Sequence, residues 1–147
     1  MNEILSKSED ETRKIAQKIA KETKGGDILA LCGDIGSGKT TFTRYFAKAL
    51  GVKEEITSPT FVIMKNYDFS RDGQAFKLVH VDAYRLNQAT GVKSIGLEEI
   101  MSDENTIVII EWPEKIWPTI KRGVQLIDFQ YVDANSRRIR GENVALS

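Results

Sequence analysis

The 147-residue chain is 41% apolar and 29% charged, the make-up of a soluble globular domain with one core and not of a disordered or collagen-like chain. Its 21 Lys and Arg balance 21 Asp and Glu, so no overall positive field exists to hold a polyanion such as nucleic acid by bulk electrostatics. A single cysteine excludes a disulfide within the chain, no apolar run approaches membrane-spanning length, and the acidic start MNEILSKSEDE lacks the apolar stretch of a secretory signal; one cytoplasmic domain over residues 1–147 is expected.

In chain order, Ser8 followed by Glu11 has the spacing of a capping box, with Ile15 and Ile19 recurring on one helical face, which predicts a helix that Gly25 and Gly26 end. The run from Ile28 to Cys32 is short and apolar, as in a strand covered on both sides of a parallel sheet, and it should be central. Cys32 reads as a small buried thiol rather than a reactive one. Lys39 to Leu50 predicts a helix with Phe42, Phe46 and Leu50 on one face and Gly51 as its stop. Phe61 to Tyr67 and Ala75 to Val81 predict two strands joined by Asp72-Gly73, a dipeptide suited to an antiparallel hairpin. A short helix is expected around Leu97 to Met101, then a buried strand over Ile107 to Ile110 ending in Glu111. Further strands are placed near Gln125 to Phe129 and near Ile139, where the apolar pattern is less regular. The fold class is α/β, a P-loop NTPase-like three-layer fold with a mixed, mainly parallel central sheet and an antiparallel hairpin.

The motif that carries chemistry is Gly33-Asp34-Ile35-Gly36-Ser37-Gly38-Lys39-Thr40, which satisfies G-x-x-x-x-G-K-[ST] between a predicted strand and a predicted helix. Glycines let the backbone wrap a phosphate without Cβ clashes. Successive N–H groups from Gly36 through Thr41 would face an anion at a helix start whose dipole favours negative charge. Lys39 can reach the β and γ oxygens of a nucleotide, and Thr40 places a hydroxyl where octahedral Mg²⁺ needs a protein oxygen.

Hydrolysis further requires a carboxylate that places the metal or its waters. Glu111 and Asp82 both stand at carboxyl ends of apolar strands; either could instead cap the next element or face water. Trp112 could pack over the site or close the core. His80, the lone histidine, has no second His or Cys for a metal cluster and reads as structural unless it orders Asp82 or the hairpin. Ser58 and Thr60 of the SPTF segment lie where P-loop proteins keep a γ-phosphate-sensing switch, although an ordinary turn fixed by Pro59 explains them equally well. Arg85 could stabilise transition-state charge or simply pair with an acid on the surface.

These residues resemble the TsaE, or YjeE-type, ATPase family of bacterial tRNA threonylcarbamoyladenosine synthesis. The resemblance rests on Thr12 in the first helix, GDIGSGKTTF from Gly33 to Phe42, SPTF from Ser58 to Phe61, HVDAYRL from His80 to Leu86, GLEE from Gly96 to Glu99 and IEWPE from Ile110 to Glu114. It spans nearly the whole chain, and the order and spacing of the later segments are more specific than the phosphate-loop motif alone. Ala83 departs mildly, standing where the family carries a bulkier residue. The resemblance implies ATP and Mg²⁺ as cofactors, Thr40 and Glu111 as metal positions, Lys39, Asp82 and Glu111 as the catalytic set, Thr12 as part of an adenosine pocket, and Arg137 in the Arg-containing tail as a further nucleotide contact. It also implies TsaD and TsaB as partners. Those proteins transfer the threonylcarbamoyl group to adenosine 37 of tRNA, which this chain would meet only indirectly, and hydrolysis would support or reset the complex.

A compact small-molecule kinase shares Lys39, Thr40 and a strand-end acid, but the segment from Ile100 to Arg122 carries only one arginine for a lid. A nucleotide-gated binding module with incidental hydrolysis is the other alternative. A GTPase is disfavoured, because Lys65-Asn66-Tyr67-Asp68 has the wrong order for an N-K-x-D base reader.

Overall fold

The computed structural model describes residues 2–57, 63–86, 96–117, 120 and 123–147. Its elements are β1 (Asn2–Ser6), α1 (Glu9–Glu22), β2 (Ile28–Cys32), α2 (Lys39–Leu50), β3 (Met64–Arg71), β4 (Gln74–Asp82), α3 (Leu97–Met101), β5 (Thr106–Glu111), a 3₁₀ turn (Pro113–Lys115), β6 (Val124–Tyr131) and β7 (Arg137–Glu142). Among the described residues the strands form one seven-stranded sheet in the order β1-β7-β6-β2-β5-β4-β3. The inner four, β6-β2-β5-β4, run parallel. Antiparallel pairs flank them on both sides, β3 on β4 and β7 between β6 and β1. The sheet is therefore mixed, with β2 at its centre.

Local chemistry explains the elements that frame the cavity. Ser8 caps α1 by accepting from the Glu11 N–H at 3.1 Å, and the Glu11 carboxylate reaches back to the Lys7 N–H at 2.7 Å, a capping box shifted by one residue at its return bond. The expected stop at Gly25 and Gly26 is corrected. Helical geometry ends at Glu22, and Thr23 turns extended while its hydroxyl donates to the Ile19 carbonyl at 2.7 Å, so a side-chain bond closes the last turn before either glycine is reached. α2 matches its expected span and ends at Gly51, whose φ of 107° is a left-handed C-cap. The Asp72-Gly73 turn has φ of 53° and 78°, as a two-residue hairpin of the primed type demands. The first strand of that hairpin starts at Met64; Phe61, where it was expected to begin, lies outside the described residues.

The apolar residues of the sheet sort by face. Leu29, Leu31, Leu78, Ile107, Ile109, Ile127 and Phe129 pack beneath α1 and α2 with Ile15, Ile19, Phe42 and Phe46. Val79, Val81, Val108 and Ile110 pack on the opposite side with Ala83, Leu97 and Ile116. Each fully buried Phe or Leu contributes on the order of 2 kcal/mol by removal from water. This two-sided cover makes β2 and β5 continuously apolar until their carboxyl ends, where the chain turns polar and the site begins.

One strand escaped the sequence reading. β1 is an edge strand whose Asn2–Ser6 segment pairs with Arg137–Gly141, with Glu3 bridging Arg138 at 3.4 Å and Arg140 at 2.7 Å. Its partner lies more than 130 residues away, beyond the reach of any local pattern. Among the described residues no helix is long and apolar enough to cross a membrane.

Candidate functional site

Three parallel strands and one helix meet at the site. β2 runs into the loop Gly33–Gly38, which delivers the chain to α2. Gly33 has φ of 138°, and a Cβ there would sit 2.6 Å from both the Phe129 carbonyl and Ser37 Oγ; only glycine fits so close an approach. Gly36 and Gly38 hold φ of 80° and 109°. The Ser37 N–H turns back onto the Asp34 carbonyl at 3.1 Å, and Gly38 gives α2 no side-chain cap. The first N–H groups of a helix have no intrahelical acceptors, so this end of α2 presents its donors and the positive end of its dipole to whatever anion enters the loop.

A cavity of about 500 Å³ opens there, lined by Gly36, Gly38, Lys39, Thr40, Thr41, Asp82, Tyr84, Arg85, Glu111, Trp112 and Arg137. Its size falls within the usual range for small-molecule sites. Asp82 and Glu111 are directly paired across β4 and β5, and Glu111 is flanked on its other side by Leu31 of β2. Parallel register thus puts both acids at one end of the sheet, where ligands of open α/β folds bind. Lys39 is buried, donates to the Gly33 carbonyl at 2.5 Å and holds its ammonium 3.8 Å from the centroid of the Trp112 ring, a cation–π contact in a partly desolvated setting. Trp112 adopts a left-handed backbone, φ 58°, at a cost on the order of 1–2 kcal/mol. Its ring lines the cavity, packs against the apolar cluster on the sheet face opposite α1 and α2 and meets Tyr84 edge-on at 5.1 Å.

The two acids have different surroundings. Asp82 accepts from the Tyr84 N–H at 3.0 Å in an Asx-type turn and lines the cavity. Glu111 is buried, and its Oε2 lies 2.6 Å from Nε2 of the fully buried His80. His80 therefore engages Glu111, not Asp82. Burial lifts the Cys32 thiol to about 11, with the Glu114 and Asp128 carboxylates adding to the rise and Lys39 opposing it. A thiol in that state is a poor nucleophile.

Beside the main cavity lies a smaller one of about 140 Å³, lined by Ser8, Glu9, Thr12, Gly38, Thr41, Phe129, Ala134, Asn135 and Arg137. Thr12 is buried and shares a 2.8 Å hydrogen bond with Ser6 of β1. Arg137, the first residue of β7, spans both cavities: its guanidinium donates to the Gly36 carbonyl at 3.3 Å and to the Asp133 carbonyl at 2.7 Å, and it stacks 4.8 Å above the Tyr131 ring. Among the expected site residues, Gly36, Gly38, Lys39, Thr40, Thr41, Asp82, Glu111 and Arg137 share the main cavity, and Thr12 stands in the smaller one. Gly33 and Ser37 shape the loop from behind, with Ser37 buried. Asp34 is exposed on the outer side of the turn and lines neither cavity. Thr60, with the rest of SPTF, lies outside the described residues. The sequence reading passed over His80 as a partner of Glu111. The signal was present: one polar residue in an apolar strand, two positions before Asp82 and hence on the same face.

A glycine loop that delivers a buried lysine and an uncapped helix start to the carboxyl end of a parallel sheet defines the P-loop NTPase-like class of α/β folds. Within that class, the family model for "Threonylcarbamoyl adenosine biosynthesis protein TsaE" matches residues 6–139. A tRNA threonylcarbamoyladenosine biosynthesis protein TsaE of Aquifex aeolicus is 32% identical over 142 residues, 95% of either chain. One of Streptomyces coelicolor is 40% identical over 103 residues, 69% of this chain and 67% of that one. The crystal structure of Bacillus subtilis YdiB superposes with a TM-score of 0.71 at 30% identity, covering 99% of this chain and 86% of the other. The chain belongs to the TsaE family of tRNA threonylcarbamoyladenosine biosynthesis.

Proposed function

We propose that the chain binds ATP with Mg²⁺ and hydrolyses it in the 500 Å³ cavity, and that hydrolysis resets a TsaD–TsaB complex between rounds of tRNA modification in the cytoplasm. The observation that carries the reading is the convergence of Lys39, Thr40, Asp82 and Glu111 on that one cavity at the uncapped start of α2. The residues fit the implied cofactors. A cradle that a Cβ at Gly33 would fill, free helix-terminal N–H groups and a buried lysine suit a polyphosphate. Among the described residues no group of three or more His, Cys, Asp or Glu forms a cation cage. A metal here would thus share its coordination with phosphate oxygens and water, the habit of Mg²⁺.

In this reading Thr40 and Glu111 hold the metal, which when bound would neutralise phosphate charge and polarise the γ-phosphoryl group. The chain's own residues do the rest. Lys39 leaves the Trp112 ring for the β and γ oxygens, and the N–H groups of Gly36 to Thr41 hold the β-phosphate. The Asp82 carboxylate orients the attacking water, while Arg85, which lines the cavity, supplies positive charge. Thr12 and Arg137 border the smaller cavity, where the adenosine would lie. Thr60 would report the γ-phosphate to the SPTF segment, so that its loss changes the affinity for a partner.

Family membership supports the role in tRNA modification, and the balanced charge argues that contact with tRNA is made through other proteins. The test is to reconstitute TsaD, TsaB, tRNA and threonylcarbamoyl-adenylate with the intact chain, Asp82→Ala or Glu111→Ala. Hydrolysis-dead variants should support one round of modification and stall afterwards. If they sustain many rounds as the intact chain does, the reset role is wrong and a nucleotide-gated binding module takes its place.

A further inference from the structure

We propose that His80 is a positioning residue for Glu111, donating from Nε2 to one carboxylate oxygen so that the other is presented to the cation; this last step rests on the function proposed above. Register sets the pair. His80 stands opposite Ile109 across β4 and β5, so Glu111, two residues on, lies on the same sheet face within diagonal reach. Leu78, Ile107 and Ile109 occupy that face around it. An imidazole without solvent exposure in such a layer needs a partner of its own, and Glu111 Oε2 at 2.6 Å supplies it.

The other ring nitrogen decides the donor. Nδ1 is buried and has no hydrogen-bond partner among the described residues. A ring that carried its proton on Nδ1 in place of Nε2 would leave a buried N–H donor unsatisfied. It would also set the Nε2 lone pair against a carboxylate oxygen. A proton on Nε2 meets the Glu111 oxygen instead. Glu111 then cannot rotate without breaking a charge-assisted bond, and its second oxygen stays with the cavity that Glu111 lines. Partners that orient ligating side chains in this way typically alter metal affinity by about 10–100-fold when removed.

With one histidine in the chain, its ring nitrogens need no assignment. A long-range ¹H–¹⁵N correlation spectrum of the ¹⁵N-labelled intact chain at neutral pH should show that Nε2 carries a proton. A bare Nε2, or two averaged nitrogens, overturns the proposal. This readout does not depend on any nucleotide activity, so it distinguishes a wrong tautomer from a wrong function. The second arm titrates Mg²⁺ into the ATP complex of His80→Gln and His80→Leu. Gln returns an N–H donor near Nε2 and should keep Mg²⁺ half-saturation close to that of the intact chain. Leu should raise it about tenfold or more without altering ATP affinity in EDTA. Unaltered Mg²⁺ dependence in folded His80→Leu, or equal losses in the two variants, overturns the positioning role.

Discussion

At the scale of single residues, the site is a set of side chains held in reserve by neighbours. Lys39 rests on the Trp112 ring and the Gly33 carbonyl, so a nucleotide phosphate bound as proposed would have to draw it from both. In a Trp117→Phe background, which leaves Trp112 as the one fluorophore of its kind, saturating ATP should change the emission of Trp112; unchanged emission would mean that the ammonium stays where it is. Glu111→Ala should keep most nucleotide binding and lose hydrolysis by about 100-fold or more. Wild-type turnover in that variant, measured by phosphate release, would return Glu111 to a structural role. Cys32 gives a pH test. Its thiol sits at about 11 against an ordinary 9.0, so at pH 8 the folded chain carries roughly one thiolate in a thousand. Labelling by a thiol reagent should rise about tenfold per pH unit up to that value, and urea should accelerate it at pH 8. The sign follows for stability too: a raised thiol pKa disfavours the native state once the pH passes 9, where the unfolded chain ionises first.

At the scale of elements, the loop between β2 and α2 is where backbone geometry becomes function. Gly33→Ala would place a Cβ 2.6 Å from the Phe129 carbonyl and Ser37 Oγ at a φ of 138°. The backbone must move, and a loss of about 2 kcal/mol or more is expected, read as a lowered urea midpoint together with lost ATP affinity. A wild-type midpoint would show that the loop accommodates a side chain. Ser8→Ala, which removes the cap of α1, should cost about 1 kcal/mol and leave the phosphate loop intact. The sequence made these elements legible because each is coded locally. The G-x-x-x-x-G-K-T string needs its glycines, the apolar run Ile28 to Cys32 needs cover on both faces, and Gly51 and Asp72-Gly73 need positive φ. What it did not make legible is coded across distance. β1 exists because Asn2 to Ser6 finds β7; the His80–Glu111 pair exists because parallel register sets β4 beside β5. Even α1 stopped short of its glycines because a threonine hydroxyl reached back one turn.

At the scale of the whole molecule, among the described residues α1 and α2 cover one face of the sheet and α3 packs on the other, and the carboxyl ends of β4 and β5 meet the start of α2 at one cavity. The proposed ATP site follows from that meeting, since Lys39, Asp82 and Glu111 come from three segments that only the sheet order unites. The resemblance legible in SPTF, HVDAYRL and IEWPE extends from the site to the family. The central claim is that the cavity is an ATP site built on Lys39. Its most direct measurement is a calorimetric titration of ATP, with Mg²⁺, into the intact chain and into Lys39→Ala shown to be folded by its unfolding transition. The intact chain should bind saturably at one site, and the variant should lose about 100-fold or more in affinity, roughly 2.7 kcal/mol. Equal affinities in the two proteins would contradict the account.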